Sequence, residues 1–156
     1  MPKSLGKDST CSIARSLEVL GDRWTLLILR EALIAGSTRF QEFREALGIA
    51  PNLLTQRLTF LIDEGLLTRR TYREEGARAR DEYVLTETGR SLNLVIAALS
   101  DWARTCRPRP DGTSPAFVVE DSGAPVRLAF VTGDGDQVNA QRLVARRTPD
   151  RELAGP

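Results

Sequence analysis

Four polar side chains, Asn52, Thr55, Gln56 and Thr59, recur at i, i+3, i+4 and i+7. That spacing puts them on one face of a helix, beside Leu54, Leu58 and Leu61 on the face turned inward. Such side chains can read base edges. Asn and Gln make paired bonds to adenine, Thr reaches a base edge or the thymine methyl, and the flanking Arg57 can take guanine or phosphate. A generic solvated face would more often carry Glu and Lys, although every surface helix has a polar stripe. Arg69, Arg70, Arg73, Arg78 and Arg80 crowd into twelve residues, with Glu74 and Glu75 between them. That cluster suits phosphate contact, and equally a hairpin edge kept charged against aggregation. Arg39, with Gln41 beside it, opens another helical pattern, a usual place for a phosphate contact.

Two thiols are the other chemistry. Cys11 starts a helical pattern, where unpaired N–H groups and the helix dipole favour thiolate, with Lys7 before it and Arg15 one turn on. The plainer reading of Cys11 is a small packing residue. The chain of 156 residues has no His, which excludes Ser-His-Asp and Cys-His catalysis and every His metal site. Two Cys cannot build a zinc site or a disulfide framework within one chain. No Gly-rich phosphate loop and no metal-ligand spacing occur, so neither cofactor nor metal is expected, and an enzyme would have only scattered carboxylates. Gly133-Asp134-Gly135-Asp136 resembles part of a calcium loop, lacks the remaining ligands, and reads as a hairpin turn. Lys and Arg number 22 against 21 Asp and Glu, so any nucleic-acid site must be a local concentration of charge.

The elements that must hold these residues follow from periodicity. Ser9 or Thr10 can cap a helix over about 10–20. A second helix, 23–35, is apolar nearly all round and must be central or face a partner chain. Thr38 with Gln41 reads as a capping box opening a third helix to Leu47. Pro51 opens a fourth, which runs to Glu64 and carries the polar stripe. Residues 66–73 and 81–86 read as a β-hairpin around the tip 74–80. A fifth helix runs from Thr86 to about Arg104 with the stripe Leu92, Val95, Ile96, Leu99 and Trp102. Short strands are expected at 116–120, 126–132 and 138–146. The expected divisions are a tail over 1–8, a main domain over 9–106, a Pro-rich linker over 107–115, a small β extension over 116–148 and a tail over 149–156. The fold class is therefore mainly α with a hairpin wing. Helix, turn, helix and hairpin over 38–86 is the order of a winged helix-turn-helix, whose second helix enters the major groove.

The residues also carry a family resemblance. Cys11, Leu20-Gly21-Asp22-Arg23-Trp24 with Leu27-Ile28-Leu29, Arg39-Phe40-Gln41-Glu42-Phe43, Leu54-Thr55-Gln56-Arg57-Leu58, Glu64-Gly65-Leu66, Glu82-Tyr83-Val84-Leu85-Thr86 and Gly89 occur in that order. The run from Cys11 to about Trp102 resembles the HxlR-type winged-helix transcriptional regulators. The resemblance implies a homodimer built on the first and last helices of the domain, bound to double-stranded DNA at an inverted repeat, usually as a repressor. It also implies thiol sensing at Cys11, because some members sense oxidants or electrophiles there, and an intersubunit pairing with Cys106, which matches a second Cys of some members. Ala50 departs from the family's Ser or Thr cap, and Phe60, Ile62 and Asp81 depart in type.

A broad stripe on the fifth helix needs cover, which a two-fold partner or the strands of 116–146 could supply. A small ligand could instead control the protein from an apolar cleft, with Trp24, Trp102 and Phe60 as lining or, more plainly, as core. No segment reaches the roughly 18 apolar residues of a membrane span, and the first ten residues lack the apolar region of a signal peptide. The expected compartment is the cytoplasm. The competing class is a winged-helix protein–protein adaptor, which would lack salt-dependent DNA affinity.

Overall fold

The computed structural model describes residues 9–73, 79–113 and 116–145. The expected tails, residues 74–78 of the expected hairpin tip with Arg78 among them, and the end of the linker lie outside the described residues, while Arg80, expected in the tip, opens the second strand. The chain divides into two units, Met1–Ile96 and Ala97–Pro156.

In the first unit, α1 spans Ser12–Leu20. Ser9 does not cap it directly. Its hydroxyl accepts from the Cys11 N–H at 3.2 Å, so Cys11 takes the N-cap position and the helix starts one residue later. Helix α2 spans Arg23–Arg30 and widens into a π turn over Glu31–Ala35. The turn closes through the Ser37 N–H on the Glu31 carbonyl at 3.2 Å, and Gly36 at φ 70° ends it. Helix α3 spans Phe40–Leu47 and α4 spans Pro51–Asp63. Ile28, Leu29, Phe43, Leu54, Leu58 and Leu61 are fully buried where α2, α3 and α4 meet. Each such side chain contributes about 1.5–3 kcal/mol of burial, so α4 is set on a rigid apolar base.

The expected capping box shifts by one residue. Glu42, not Gln41, reaches back, and its carboxylate accepts from the N–H groups of Thr38 at 2.8 Å and Arg39 at 2.9 Å. Gln41 donates to Glu45 at 2.7 Å instead. The cause is tertiary. The Thr38 carbonyl accepts from the Tyr83 N–H at 2.7 Å and Arg39 bridges Glu82, so residues 38–39 are held extended and the helix begins at 40. The backbone bonds from Arg39 and Thr38 hold the Glu42 carboxyl below its usual range. A depressed carboxylate stabilises the fold above its unfolded pKa and stops doing so as pH falls through its folded value. Glu42→Gln should therefore cost about 0.5–1 kcal/mol at pH 7. In urea titrations across pH, that difference should vanish once Glu42 is protonated; a difference that persists in acid would show the carboxylate is not the cap.

Strands β1 (Leu67–Tyr72) and β2 (Arg80–Leu85) pair antiparallel, Leu67 opposite Leu85 and Tyr72 opposite Arg80. The expected fifth helix is broken. Helix α5 covers only Glu87–Ser91, the chain turns at Leu92, and α6 spans Asn93–Cys106. Thr86 is the reason. Its hydroxyl caps α5 through the Gly89 N–H at 3.0 Å and donates to the Gly65 carbonyl at 2.6 Å, while its N–H donates to the Leu66 carbonyl at 3.0 Å. The short helix is thus pinned to the base of the hairpin, and the Leu92 N–H closes the turn on Gly89 at 3.3 Å.

In the second unit the expected strands shrink. Residues 116–120 keep one bridge, Val118 to Pro125. Strand β3 is Phe130–Val131 and β4 is Gln137–Val138, joined by a turn with Gly135 at φ 88°. The stretch expected as strand from 138 becomes a 3-10 turn over Ala140–Arg142, because the Asn139 side chain accepts from the Gln141 N–H at 2.9 Å and caps it. Among the described residues, no helix is long and apolar enough to cross a membrane.

Candidate nucleic-acid interface

Helix α4 presents Asn52, Thr55, Gln56 and Thr59 exposed, while Leu54, Leu58 and Leu61 of the same helix are buried. The polar stripe and the apolar base are therefore opposite faces of one rod. The Thr55 hydroxyl donates back to the Pro51 carbonyl at 3.0 Å, which fixes its rotamer. The Asn52 and Gln56 amides make no hydrogen bond among the described residues. Ala50 supplies no side-chain cap, and Pro51 occupies the first helical position, where its missing N–H costs nothing.

Arg57 is placed differently. It is half-buried, and its Nη2 lies 2.9 Å from Oδ2 of Asp22. The same carboxylate caps α2, Oδ1 accepting from the N–H groups of Trp24 at 2.9 Å and Thr25 at 3.2 Å. Asp22 thus joins the start of α2 to the middle of α4. Nε of Arg57 and Oγ1 of Thr25 are buried without a hydrogen bond among the described residues. In the sequence Asp22 stands out only within the family motif Leu20-Gly21-Asp22-Arg23-Trp24. The signal that could have found it was its position as an N-cap residue before Arg23.

At the start of α3, Arg39 is exposed, with its guanidinium 4.7 Å over the Tyr72 ring. Gln41 is exposed and engaged with Glu45 and Arg44. An open groove of about 530 Å³ is lined by Arg39, Phe40, Gln41, Tyr72, Arg80, Asp81 and Tyr83, so Arg39 and Arg80 come to one place, with the Asp81 carboxylate beside them. Tyr72, the aromatic floor between them, was not singled out from sequence. Burial, reinforced by Asp81 and opposed by Arg69, holds the Tyr83 phenol above its usual range. Arg69 is the cross-strand partner of Tyr83 on the same face of the hairpin, and its Nη1 is 3.8 Å from Asp81. Asp81 also accepts from the Thr71 hydroxyl at 3.0 Å. The departure at Asp81 thus offsets part of the hairpin's positive charge.

Cys11 is exposed at the N-cap of α1. Arg15 is engaged with the backbone just before it, its Nη1 donating to the Ser9 carbonyl at 2.7 Å. Cys106 is exposed and ends α6, in the second unit. Trp24 is half-buried against the core with Arg23 over its ring, Phe60 is half-buried, and Trp102 is 57% exposed. Among the described residues no cluster of His, Cys, Asp or Glu could hold a metal ion.

Residues 19–110 match the HxlR-like helix-turn-helix family. Mb3122 of Mycobacterium bovis, an uncharacterized HTH-type transcriptional regulator, is 45% identical over 101 residues, which are 65% of this chain and 62% of that protein. The match therefore spans less than two thirds of that relative's length. Among solved structures, the proposed transcription factor PA1607 is 36% identical with a TM-score of 0.79, over 91% of this chain and 98% of its own. That match runs well past residue 110. The redox regulator HypR in its reduced form is 30% identical with a TM-score of 0.56, over 62% of this chain and 94% of its own. Two helices set as a helix-turn-helix, a two-stranded wing and a family match over more than half the length lead to one conclusion: the chain belongs to the HxlR-like helix-turn-helix family of transcriptional regulators, not to a family of enzymes.

Proposed function

We propose that the protein is a homodimeric, sequence-specific repressor that binds an inverted-repeat operator in double-stranded DNA. The observation that carries this reading is the exposed Asn52–Thr55–Gln56–Thr59 face of α4, backed by three buried leucines. In this reading Gln56 and Asn52 pair with base edges, and Arg39, Arg80 and the outer wing arginines take phosphates. The stripes left exposed on α1 (Ile13, Leu17) and α6 (Leu94, Val95, Leu99) support a two-fold partner. A two-fold pair sets two recognition helices about 34 Å apart, one turn of DNA.

Gln56→Ala should lower affinity by about 1–3 kcal/mol on the cognate operator only and relax the preference at one base. Arg80→Ala should weaken cognate and random DNA alike. Fluorescence anisotropy on the DNA upstream of the protein's own gene, with random DNA beside it, reads both. Uniform loss in both variants would remove α4 from base readout.

Thiol control at Cys11 is the regulatory part of the proposal. It is supported by the thiol's exposure at a helix N-cap and by the likeness to HypR. Diamide should release the wild type from DNA, and Cys11→Ser should bind without responding. Binding indifferent to diamide in both would direct the search to a small-molecule effector instead.

A further inference from the structure

The backbone of Arg39 is fixed from two sides. Its N–H donates to the Glu42 carboxylate at 2.9 Å, and it bridges Glu82 of β2, next to the Thr38 carbonyl that accepts from the Tyr83 N–H. Its side chain remains to be placed, and a long arginine side chain has much rotamer freedom to lose. The guanidinium lies 4.7 Å from the centroid of the Tyr72 ring. Tyr72 stands at the far end of β1, opposite Arg80, while the buried Leu67 anchors the near end in the core. Of the three aromatic residues that line the groove, Phe40 and Tyr83 pack against the core and Tyr72 lies outside that cluster. Core packing therefore does not account for an aromatic ring at position 72.

The strand register also sorts the charges. Alternation puts Arg70, Tyr72, Arg80 and Glu82 on one face of the hairpin, and Arg69, Thr71, Asp81 and Tyr83 on the other. On the second face Arg69 already lies 3.8 Å from Asp81, whose carboxylate also accepts from the Thr71 hydroxyl. On the first face Arg39 joins Arg70 and Arg80, with Glu82 as the carboxylate among them. A cation over an aromatic ring is held by the ring's quadrupole, and its N–H groups keep their capacity to donate to phosphate oxygens. The Tyr72 ring thus ties a side chain from the start of α3 to a strand of the wing.

We propose that Tyr72 is a positioning residue for DNA binding. Its ring holds the Arg39 guanidinium at the groove that Arg80 also lines, so that helix and wing meet one stretch of DNA backbone with the Arg39 side chain already ordered. Order present before contact lowers the entropy lost on binding. The inference rests on the reading of Arg39 as a phosphate contact and adds the residue that prepares it.

Fluorescence anisotropy of the full chain on a mixed-sequence duplex, across salt, tests it, because a phosphate contact needs no operator. Arg39→Ala should weaken binding and reduce the salt slope by about 1. Tyr72→Leu should weaken binding about 2- to 5-fold, the effect of an exposed cation–π contact, with the slope unchanged because no charge is lost. Tyr72→Phe keeps the ring and should bind as the wild type does. In the Arg39→Ala background, Tyr72→Leu should have no further effect. A merely structural role in the hairpin would give the same loss in both backgrounds. That result overturns the positioning role and leaves the DNA reading standing, as does Tyr72→Leu binding like the wild type or Tyr72→Phe binding as weakly as Tyr72→Leu. Arg39→Ala with wild-type affinity and slope overturns the phosphate role of Arg39 and the positioning role together. A wild type that binds no duplex overturns the DNA reading with them.

Discussion

Gly89→Ala is expected to destabilise the first unit by about 3 kcal/mol, the upper end for forcing an atom into a packed site. Gly89 is buried, and a methyl group there would collide with the Leu66 carbonyl oxygen and press on Cδ2 of Leu85 at 3.0 Å. The obstacle is mostly backbone, so no rotamer change relieves it. Leu66 cannot easily retreat, because its carbonyl accepts from the Thr86 N–H at 3.0 Å and its side chain is 5% exposed within the core. Either α5 lifts from the base of the hairpin or the hairpin shifts with it. Urea denaturation should show a lower midpoint, and operator binding should weaken on all sequences because the wing arginines move together. A variant as stable as wild type would mean the contact is looser than the geometry requires. Thr86→Val should give a smaller loss, about 1 kcal/mol, since it removes a cap without adding bulk.

The second large effect is expected at Asp22. Asp22→Ala removes a cap from two N–H groups of α2 and leaves the half-buried Arg57 without its counter-ion. The cap contributes about 1 kcal/mol, and a guanidinium left unpaired at that depth adds about 1–2 kcal/mol, for a total near 2–3 kcal/mol. Asp22→Asn separates the two, since an amide still caps but carries no charge; it should show only the second part. The same pair decides what Arg57 does. If the Asp22 contact persists on DNA, Arg57 is a positioning residue: Arg57→Ala lowers operator affinity while the dependence of log K on log salt keeps its slope. If Arg57 opens onto a phosphate, the slope falls by about 1. Measuring affinity across salt for Arg57→Ala, with Arg80→Ala as the phosphate reference, distinguishes these outcomes.

Much of the recognition half was legible in the residues. The i, i+3, i+4, i+7 spacing of Asn52, Thr55, Gln56 and Thr59 put them on one face, and the leucines at 54, 58 and 61 put the other face inward. Both facts are local, set by 3.6 residues per turn. Pro51 opens that helix and Gly65 lies just past its end for equally local reasons: a preset φ and a left-handed turn at φ 70°. Where periodicity misled, a long-range partner was responsible. The stripe from Leu92 to Trp102 continued a helical pattern, yet the chain turned at Leu92 because Thr86 and Gly89 are held by Gly65 and Leu66, some twenty residues earlier. The same holds at the start of α3, where Tyr83 keeps Thr38 extended and hands the cap to Glu42.

What the sequence determined by itself, then, is the family, the winged order of elements and the polar face of α4, because hydrophobic period, capping types and turn residues act within a few positions. What only the tertiary structure decided is which charges remain available on that face. Arg57 reads as one more contact until the fold brings Asp22 within 2.9 Å of it, and Arg39 and Arg80 become neighbours only through the hairpin register and the Tyr72 ring. A charge acts at the distance of its partners in space, and those distances are set by how α2, α4 and the hairpin pack, which no local spacing specifies.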